Sequence, residues 1–288
     1  MKRLVLALTV LAWCSVSFAE TPSGKNVNPE LQAADAAAQQ AATQTISASP
    51  LATTLCSYGF VSGSGNAYIG YCVSVNGNIV QLATPQGHEQ IAVAGAAIGE
   101  GYGICNASPG VVEYHDWAGG GDSGNWLSPT LVSLTATSVK IARTTSDGIW
   151  TLTQTISTMA STSSIKVVMT LKNNTAVARV AYLARYADVS ADGRFLNTLD
   201  STQNSAAAWN TTSSPNPHGL QLQTLGTPTF GYWSGFAQNT SQPPNACAFA
   251  FNYVGGPLVA TNGSVEMAFA DTVPGHGSKT ATMIYKGF

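Results

Sequence analysis

The sequence predicts an all-β protein, built as one large antiparallel β-sandwich, and three observations lead to that prediction. Only 9% of the 288 residues are charged, whereas 44% are hydrophobic. A typical soluble domain is roughly a quarter charged, so this composition excludes disorder caused by excess charge and a coiled coil rich in Glu, Lys and Arg. The other two observations are strand-type alternation of side chains and turn pairs between the alternating runs.

The alternation is clearest in two runs that follow one another closely. One run has the apolar side chains Ile165, Val167, Met169 and Leu171 at every second position. The other has Trp150, Leu152 and Ile156, separated mostly by threonines. A period of two places one face of a strand against a core and the other towards water.

Turn-forming pairs lie between such runs and tolerate the positive φ angles that close hairpins. They are Asn76-Gly77, Asp147-Gly148, Asn173-Asn174 and Asn262-Gly263. With roughly 14 to 17 strand candidates and no convincing helix, residues 51–288 are expected to form a single β-sandwich domain.

The first fifty residues differ from this domain. Residues 1–19 have the pattern of a secretory signal peptide: Lys2 and Arg3, then a short apolar stretch, then small residues at Ser17 and Ala19. Residues 20–50 include an Ala/Gln-rich run with almost no apolar face, which predicts a flexible or frayed-helical leader. The protein is therefore expected to be secreted, in a periplasmic or extracellular setting, with no transmembrane segment.

Four cysteines follow the predicted cleavage site, and in an exported protein they suggest two disulfides. Three pairings are possible. If Ser62 pairs with Asn66 across a turn at residues 63–65, counting outward places Cys56 opposite Cys72. Cys105 and Cys247 are then left for each other.

A calcium loop is suggested by oxygen-bearing side chains at Asp188, Ser190 and Asp192, followed by Gly193. This spacing resembles the opening of a calcium-binding loop, with Asp200 as a further ligand. The alternative is an Asp/Gly turn whose carboxylates pair with Arg185 or Arg194.

Aromatic residues beside glycines suggest a sugar-binding surface. These residues are Tyr114, Trp117, Trp126, Tyr232 and Trp233. Exposed rings stack on the apolar faces of sugars, and the low charge suits a neutral glycan or cell-surface polymer. The alternative is that these rings belong to the core.

An enzyme is the second functional hypothesis. Aldose-epimerase-like supersandwiches use two histidines and a carboxylate on a sheet of this size, and His115, His218 and Glu266 occur in a compatible order. Glu100, Glu113 and Asp116 are candidates for the carboxylate pair of a glycoside hydrolase. By this analogy the fold is supersandwich-like.

The sequence thus favours a secreted carbohydrate-binding protein over a sugar-active enzyme or a structural or adhesion protein. The net charge of −2 argues against a nucleic-acid partner. Calcium is the only cofactor that a motif suggests.

We predict that signal peptidase cleaves after Ala19, because Ser17 and Ala19 place small residues around Phe18 as the enzyme prefers. N-terminal sequencing of the exported protein should begin at Glu20. A mature chain that retains Met1, or one that starts at a lipid-modified Cys14, would contradict this prediction.

Overall fold

A computed structural model describes residues 55–92, 99–118, 121–210, 217–239, 245–248 and 257–288. The predicted signal peptide and leader lie outside the described residues. Within those residues, nineteen strands form three sheets, and the helical segments are three single 3₁₀ turns. None of the helices in this part of the chain is long and apolar enough to cross a membrane.

The strands are numbered in chain order. The four-stranded sheet contains β1 (Tyr58–Ser62), β2 (Ile69–Val73), β3 (Ile79–Ala83) and β4 (Glu89–Ala92). The six-stranded sheet contains β5 (Glu100–Ser108), β6 (Val112–Trp117), β7 (Gly121–Asp122), β12 (Arg179–Ala187), β16 (Tyr232–Gln238) and β18 (Ser264–Val273). The nine-stranded sheet contains β8 (Thr130–Leu134), β9 (Ser138–Thr144), β10 (Trp150–Met159), β11 (Ser164–Asn173), β13 (Asn197–Thr202), β14 (Ser205–Trp209), β15 (Gly219–Thr224), β17 (Leu258–Thr261) and β19 (Ser278–Gly287).

The predicted fold class is confirmed, since the assigned strand pairs are antiparallel and two large sheets enclose a core. The spatial order is β16-β18-β12-β5-β6-β7 in one sheet and β17-β13-β14-β15-β19-β11-β10-β9-β8 in the other. The four-stranded sheet is an addition that the sequence did not separate from the sandwich. One apolar cluster nevertheless includes side chains from all three sheets, among them Tyr71, Tyr102 and Trp150.

The alternation that predicted the strands is also the alternation of burial. Leu152 and Ile156 of β10 are buried against the core, while the threonines between them are half-buried. The β10–β11 hairpin runs in continuous register from Trp150 opposite Asn173 to Met159 opposite Ser164. Gly148, in the predicted turn before β10, has the positive φ of 73° that its glycine permits.

A buried ion pair joins the three sheets. Arg185 of β12 donates from Nε to Glu100 Oε1 at 2.5 Å, and both side chains are fully buried. The Arg185 Nη1 donates to Gln154 of β10 at 2.5 Å, and Nη2 donates to the Gly77 carbonyl at 3.1 Å. Glu100 also accepts from the Tyr285 hydroxyl of β19 at 2.6 Å and from the Ile79 N–H of β3 at 2.7 Å.

The structure contains the two predicted disulfides, although the argument for the first one used the wrong register. Cys56 pairs with Cys72 at a Cα–Cα distance of 5.4 Å, and Cys105 pairs with Cys247 at 4.9 Å. Ser62 pairs with Ile69 rather than Asn66, because a 3₁₀ turn at Gly65–Ala67 lengthens the loop. Cys56 consequently lies before β1 and reaches Cys72 from outside the strand. Two disulfides are compatible with a secreted or extracellular protein.

We expect Arg185→Met to destabilise the fold by about 3–5 kcal/mol, because it leaves a carboxylate buried without its cation. Urea unfolding measures the loss. The matched control is Lys279→Met, which breaks the partly exposed 2.6 Å pair with Asp271 and should cost less than about 1 kcal/mol. The double variant Arg185→Met/Glu100→Leu should lose less free energy of unfolding than the two single variants lose together. If the two losses simply add, the pair is not coupled.

Candidate functional site

One surface of the six-stranded sheet faces away from the main core, and we call it the outer face. Since Arg185 and Tyr102 point inward, their strand neighbours Ala184, Tyr186, Gly101 and Gly103 point outward. The register aligns the outer residues of five strands. They are Tyr232, Ser234, Phe236 and Gln238 on β16, Ser264, Glu266, Ala268 and Ala270 on β18, Tyr182, Ala184 and Tyr186 on β12, Gly101, Gly103 and Cys105 on β5, and Glu113, His115 and Trp117 on β6.

A row of rings crosses this face from its β6 side. The His115 imidazole stacks on Trp117 with 5.3 Å between ring centroids and 11° between planes. Trp117 and Tyr186 form a T-shaped pair with 5.6 Å between their centroids. Gly101 lies between Trp117 and Tyr186 and makes this contact possible, because a Cβ there would lie 2.3 Å from Trp117 Cε3. The glycine therefore sets the position of the Trp117 ring.

His115 is held from its other side by a carboxylate. Its Nδ1 lies 2.7 Å from Glu113 Oε2, and Glu113 Oε1 accepts the Ala246 N–H at 3.3 Å. Ala246 precedes Cys247, whose disulfide to Cys105 fixes this segment over the sheet. Stacking and hydrogen bonding together fix the ring plane of His115.

A row of small residues follows β18 on the outer face, and we call it the alanine groove. Its floor is formed by Ala270, Ala268 and Glu266. Tyr182 and Tyr232 flank Ala270, since both residues pair directly with it. Tyr232 is 55% exposed, whereas Ala268 is 6% exposed and packs with Ala184, Phe236 and Ala246 in an apolar cluster, so the row is open to solvent at its Ala270 end only.

Glu266 follows in this row and has an incomplete set of hydrogen bonds. Its Oε1 accepts from Gln238 Nε2, whereas its Oε2 is buried and has no hydrogen-bond partner in the described structure. Burial raises the pKa of the Glu266 carboxyl well above its ordinary value, which favours the neutral acid. Asp188, just beyond β12, is half-buried, and burial raises its pKa to about 7.

The predicted aromatic residues do not share an exposed face, and this corrects the idea of a five-ring stacking surface. Tyr114 and Trp126 pack in the main core with 6.1 Å between their ring centroids, and Trp117 is only 4% exposed. Trp233 points inward and donates from Nε1 to Asn204 at 2.9 Å. Tyr232 alone of the five is widely exposed.

The three candidate catalytic residues are only partly brought together. His115 and Glu266 both lie on the outer face, separated by β5 and β12. His218 lies elsewhere, just before β15 of the nine-stranded sheet, and its ring lies 3.8 Å from that of His88. The placement of His218 does not reproduce the arrangement of two histidines and a carboxylate that the sequence order suggested.

The candidate calcium ligands also have separate environments. Asp192 Oδ1 lies 2.6 Å from His88 Nδ1, and Asp200 Oδ1 accepts the Ser201 N–H at 2.8 Å. Ser190 is buried, and Asp188 belongs to the end of the outer face. Among the described residues, no three His, Cys, Asp or Glu side chains are grouped so as to hold a metal ion. The calcium site stays a prediction.

Two of the three proposed hydrolase carboxylates are interior ion-pair partners. Glu100 binds Arg185, and Asp116 binds Arg143. Only Glu113 projects from the outer face, so these three residues do not form a surface pair.

Comparison with known proteins gives a likeness of fold. No protein-family model matches the chain, and no curated protein matches its sequence. A bacterial glucoamylase complexed with acarbose superposes with a TM-score of 0.50 over 79% of this chain at 8% identity; this chain spans only 32% of the glucoamylase chain. A putative aldose 1-epimerase from Escherichia coli K12 gives a TM-score of 0.46 at 11% identity, covering 80% of this chain and 99% of that one. A polysaccharide lyase gives 0.48 at 11% identity, covering 78% of this chain and 33% of the lyase.

Sequence reasoning missed Tyr182 and Gln238 and assigned Asp188 to a metal loop. The alternation in residues 179–187 places Tyr182, Ala184 and Tyr186 on one face, so part of the signal was present. The neighbouring strands that complete the groove are distant in sequence, and their order is not encoded in any local pattern.

We expect Asp188→Asn to remove part of the pH dependence of stability. The pKa of Asp188 is raised by burial from 3.8 to about 7 in the folded state, so its contribution is fully present below the unfolded pKa and is lost as pH rises through about 7. As pH rises from about 4 to about 7, the free energy of unfolding of the variant should increase relative to that of the parent by up to about 1.4 kcal/mol per pH unit. Urea unfolding at pH 4, 5.5, 7 and 8 measures the difference.

The matched control is Asp271→Asn. Its hydrogen bond with Lys279 holds the pKa of Asp271 below the ordinary value, so the control should show a small effect of opposite sign at acid pH. If the stability of the parent and of Asp188→Asn changes with pH in parallel, Asp188 does not contribute to the pH dependence and the prediction is wrong.

Proposed function

We propose that this protein is a secreted carbohydrate-binding protein and that the alanine groove receives a glycan without acidic groups. The observation that carries the proposal is the pair of tyrosines, Tyr182 and Tyr232, on either side of Ala270. Neighbouring strands lie about 4.8 Å apart, so these tyrosines arise from backbones roughly 10 Å apart with a small residue between them. A sugar ring would lie over the half-buried Ala270 between the two tyrosines.

The chemistry of the groove suits a sugar. Tyrosine rings offer apolar area to the C–H faces of a pyranose and hydroxyls to its oxygens. Ser234, half-buried beside Ala268, adds a hydroxyl. The outer-face positions of the described strands carry no lysine or arginine, so nothing there favours a sulfated or uronic acid polymer.

The fold supports a carbohydrate ligand as an analogy. The glucoamylase that shares the fold is an enzyme complexed with acarbose, and this chain corresponds to about a third of it. A groove that is open at Tyr232 excludes little water, so we expect micromolar to millimolar affinity.

A sugar-active enzyme is the second candidate, and Glu266 is the observation that favours it. A buried carboxyl with a raised pKa can donate a proton as a general acid. The His115–Glu113 pair lies on the same face, three strands from Glu266. Loss of turnover in both Glu266→Gln and His115→Gln would move the assignment to this class.

We expect Tyr182→Ala and Tyr232→Ala each to weaken binding of neutral oligosaccharides about tenfold, because each removes a stacking ring. Isothermal titration with cello-, xylo-, manno- and N-acetylchito-oligosaccharides of equal length measures the affinity. Product analysis in the same samples detects turnover.

The control variant is Tyr58→Ala, which removes a partly buried tyrosine from the four-stranded sheet and should leave affinity unchanged. If no oligosaccharide binds the folded parent, the proposed function is wrong. Equal binding by the parent and both groove variants would place the site elsewhere.

A further inference from the structure

The nine-stranded sheet also has a surface that faces away from the core, and we call its central part the lysine face. Four adjacent strands, β19, β11, β10 and β9, form this face. Val167 and Met169 of β11 are fully buried, so the residues on either side of each of them point outward. The outward positions of the four strands include four exposed or half-buried lysines, which are Lys140, Lys166, Lys172 and Lys286.

The positive charge of the lysine face has no negative charge beside it. The sequences of its four strands contain no aspartate or glutamate. Within the described structure, none of its four lysines forms an ion pair, whereas Lys279 on the opposite side of β19 pairs with Asp271 at 2.6 Å. The whole chain has a net charge of −2, so this face concentrates positive charge locally.

Three of the lysines follow a diagonal line across the strands. Lys286 pairs with Ser164, which makes Lys166 its diagonal neighbour at roughly 7–8 Å. Lys140 shares a cross-strand row with Val168, two strands away. Two strand spacings and one step of two residues therefore place Lys140 about 12 Å from Lys166. These separations are comparable to the Debye length of about 8 Å at physiological salt, so the three charges attract one extended anion together.

Hydroxyl groups lie between these lysines. β10 separates β9 from β11, and it places Ser157 directly opposite Lys166 and Thr155 directly opposite Lys140. A hydroxyl donates and accepts hydrogen bonds, which suits the hydroxyls of a sugar chain. The outward positions of the four strands carry no aromatic residue, so they offer no ring to stack on a nucleic-acid base or to enter a lipid interface.

We propose that the lysine face binds an acidic polysaccharide, a linear sugar polymer with carboxylates along its chain. Lys286 and Lys166 bind carboxylates at one end of the diagonal, and Lys140 binds a carboxylate further along the same polymer. Ser157 and Thr155 bond to sugar hydroxyls between them. The lysine face and the alanine groove lie on opposite sides of the sandwich, so this inference goes beyond the proposed function and does not rest on it.

The test compares two probes of equal length, an octamer of galacturonic acid and its full methyl ester. Esterification keeps the sugar rings and their hydroxyls but removes the negative charges. By isothermal titration at low salt, the parent should bind the acid at least tenfold more tightly than the ester. Added sodium chloride should weaken binding of the acid, because salt screens exposed charges.

Substitution of the lysines should reduce this affinity in steps. Lys166→Gln and Lys286→Gln should each weaken binding of the acid about threefold, and the double variant about tenfold, because each change removes one exposed ion pair with the polymer. Urea unfolding of each variant should match that of the parent, since these side chains point away from the core.

Lys279→Gln is the matched control. It makes the same chemical change on the same strand as Lys286→Gln, but on the opposite side of the sheet. It should leave the affinity for the acid unchanged. Equal losses in Lys279→Gln and Lys286→Gln would show that only the net charge of the protein matters, and they would overturn the proposal.

Other anionic partners are tested with duplex DNA and phosphatidylglycerol vesicles at the same concentration of negative charge. Tighter binding of either one than of the octamer would overturn the proposal, and so would equal binding of the acid and the ester. Loss of acid binding in Tyr182→Ala or Tyr232→Ala would place the octamer in the alanine groove and contradict the proposal. Failure of neutral oligosaccharides to bind would refute the proposed function and leave this inference intact.

Discussion

The position of Arg185 sets the direction of every side chain that forms the candidate site. This guanidinium lies between the three sheets and bonds to β5, to β10, to β19 through Tyr285 and to the turn before β3. A buried charge of this kind tolerates no shift in register, because any slip leaves it without partners. Since residue 185 is fixed inward, Ala184 and Tyr186 must point outward. The same alternation carries through the antiparallel ladders to Glu266 on β18 and Trp117 on β6.

Glycine and alanine residues shape the outer face as much as the large side chains do. Gly101 and Gly103 let the Trp117 ring and Ala246 approach the sheet, and Ala268 packs with Ala246 and Phe236. The Cys105–Cys247 disulfide then fixes the segment that donates to Glu113. His115 is therefore oriented by a chain of contacts that begins at a covalent bond. Rigidity of this kind lowers the entropy cost of ordering a binding site when ligand arrives.

The sequence predicted what depends on local pattern and missed what depends on neighbours. Alternation identified the strands, and counting identified both disulfides, although the Gly65–Ala67 turn shifted the assumed register by lengthening the loop. The aromatic residues were grouped because they lie near glycines. Side chains alternate along β6, however, so Tyr114 points into the core and its neighbour His115 points outward. The groove required β12, β16 and β18 to be adjacent. No local motif encodes that adjacency, because it follows from how whole sheets pack.

The buried carboxylates of this sheet have two kinds of partner. Glu100 and Asp116 are buried in ion pairs with Arg185 and Arg143, and these pairs help to hold the sheets together. Glu266 is buried as deeply, but its companion is the neutral Gln238, and the described outer strands offer no cation. A leucine or glutamine at position 266 would avoid the free-energy cost of burying a carboxyl. Among the described residues, Glu266 thus differs from Glu100 and Asp116 in its partner, since an amide takes the place of a guanidinium.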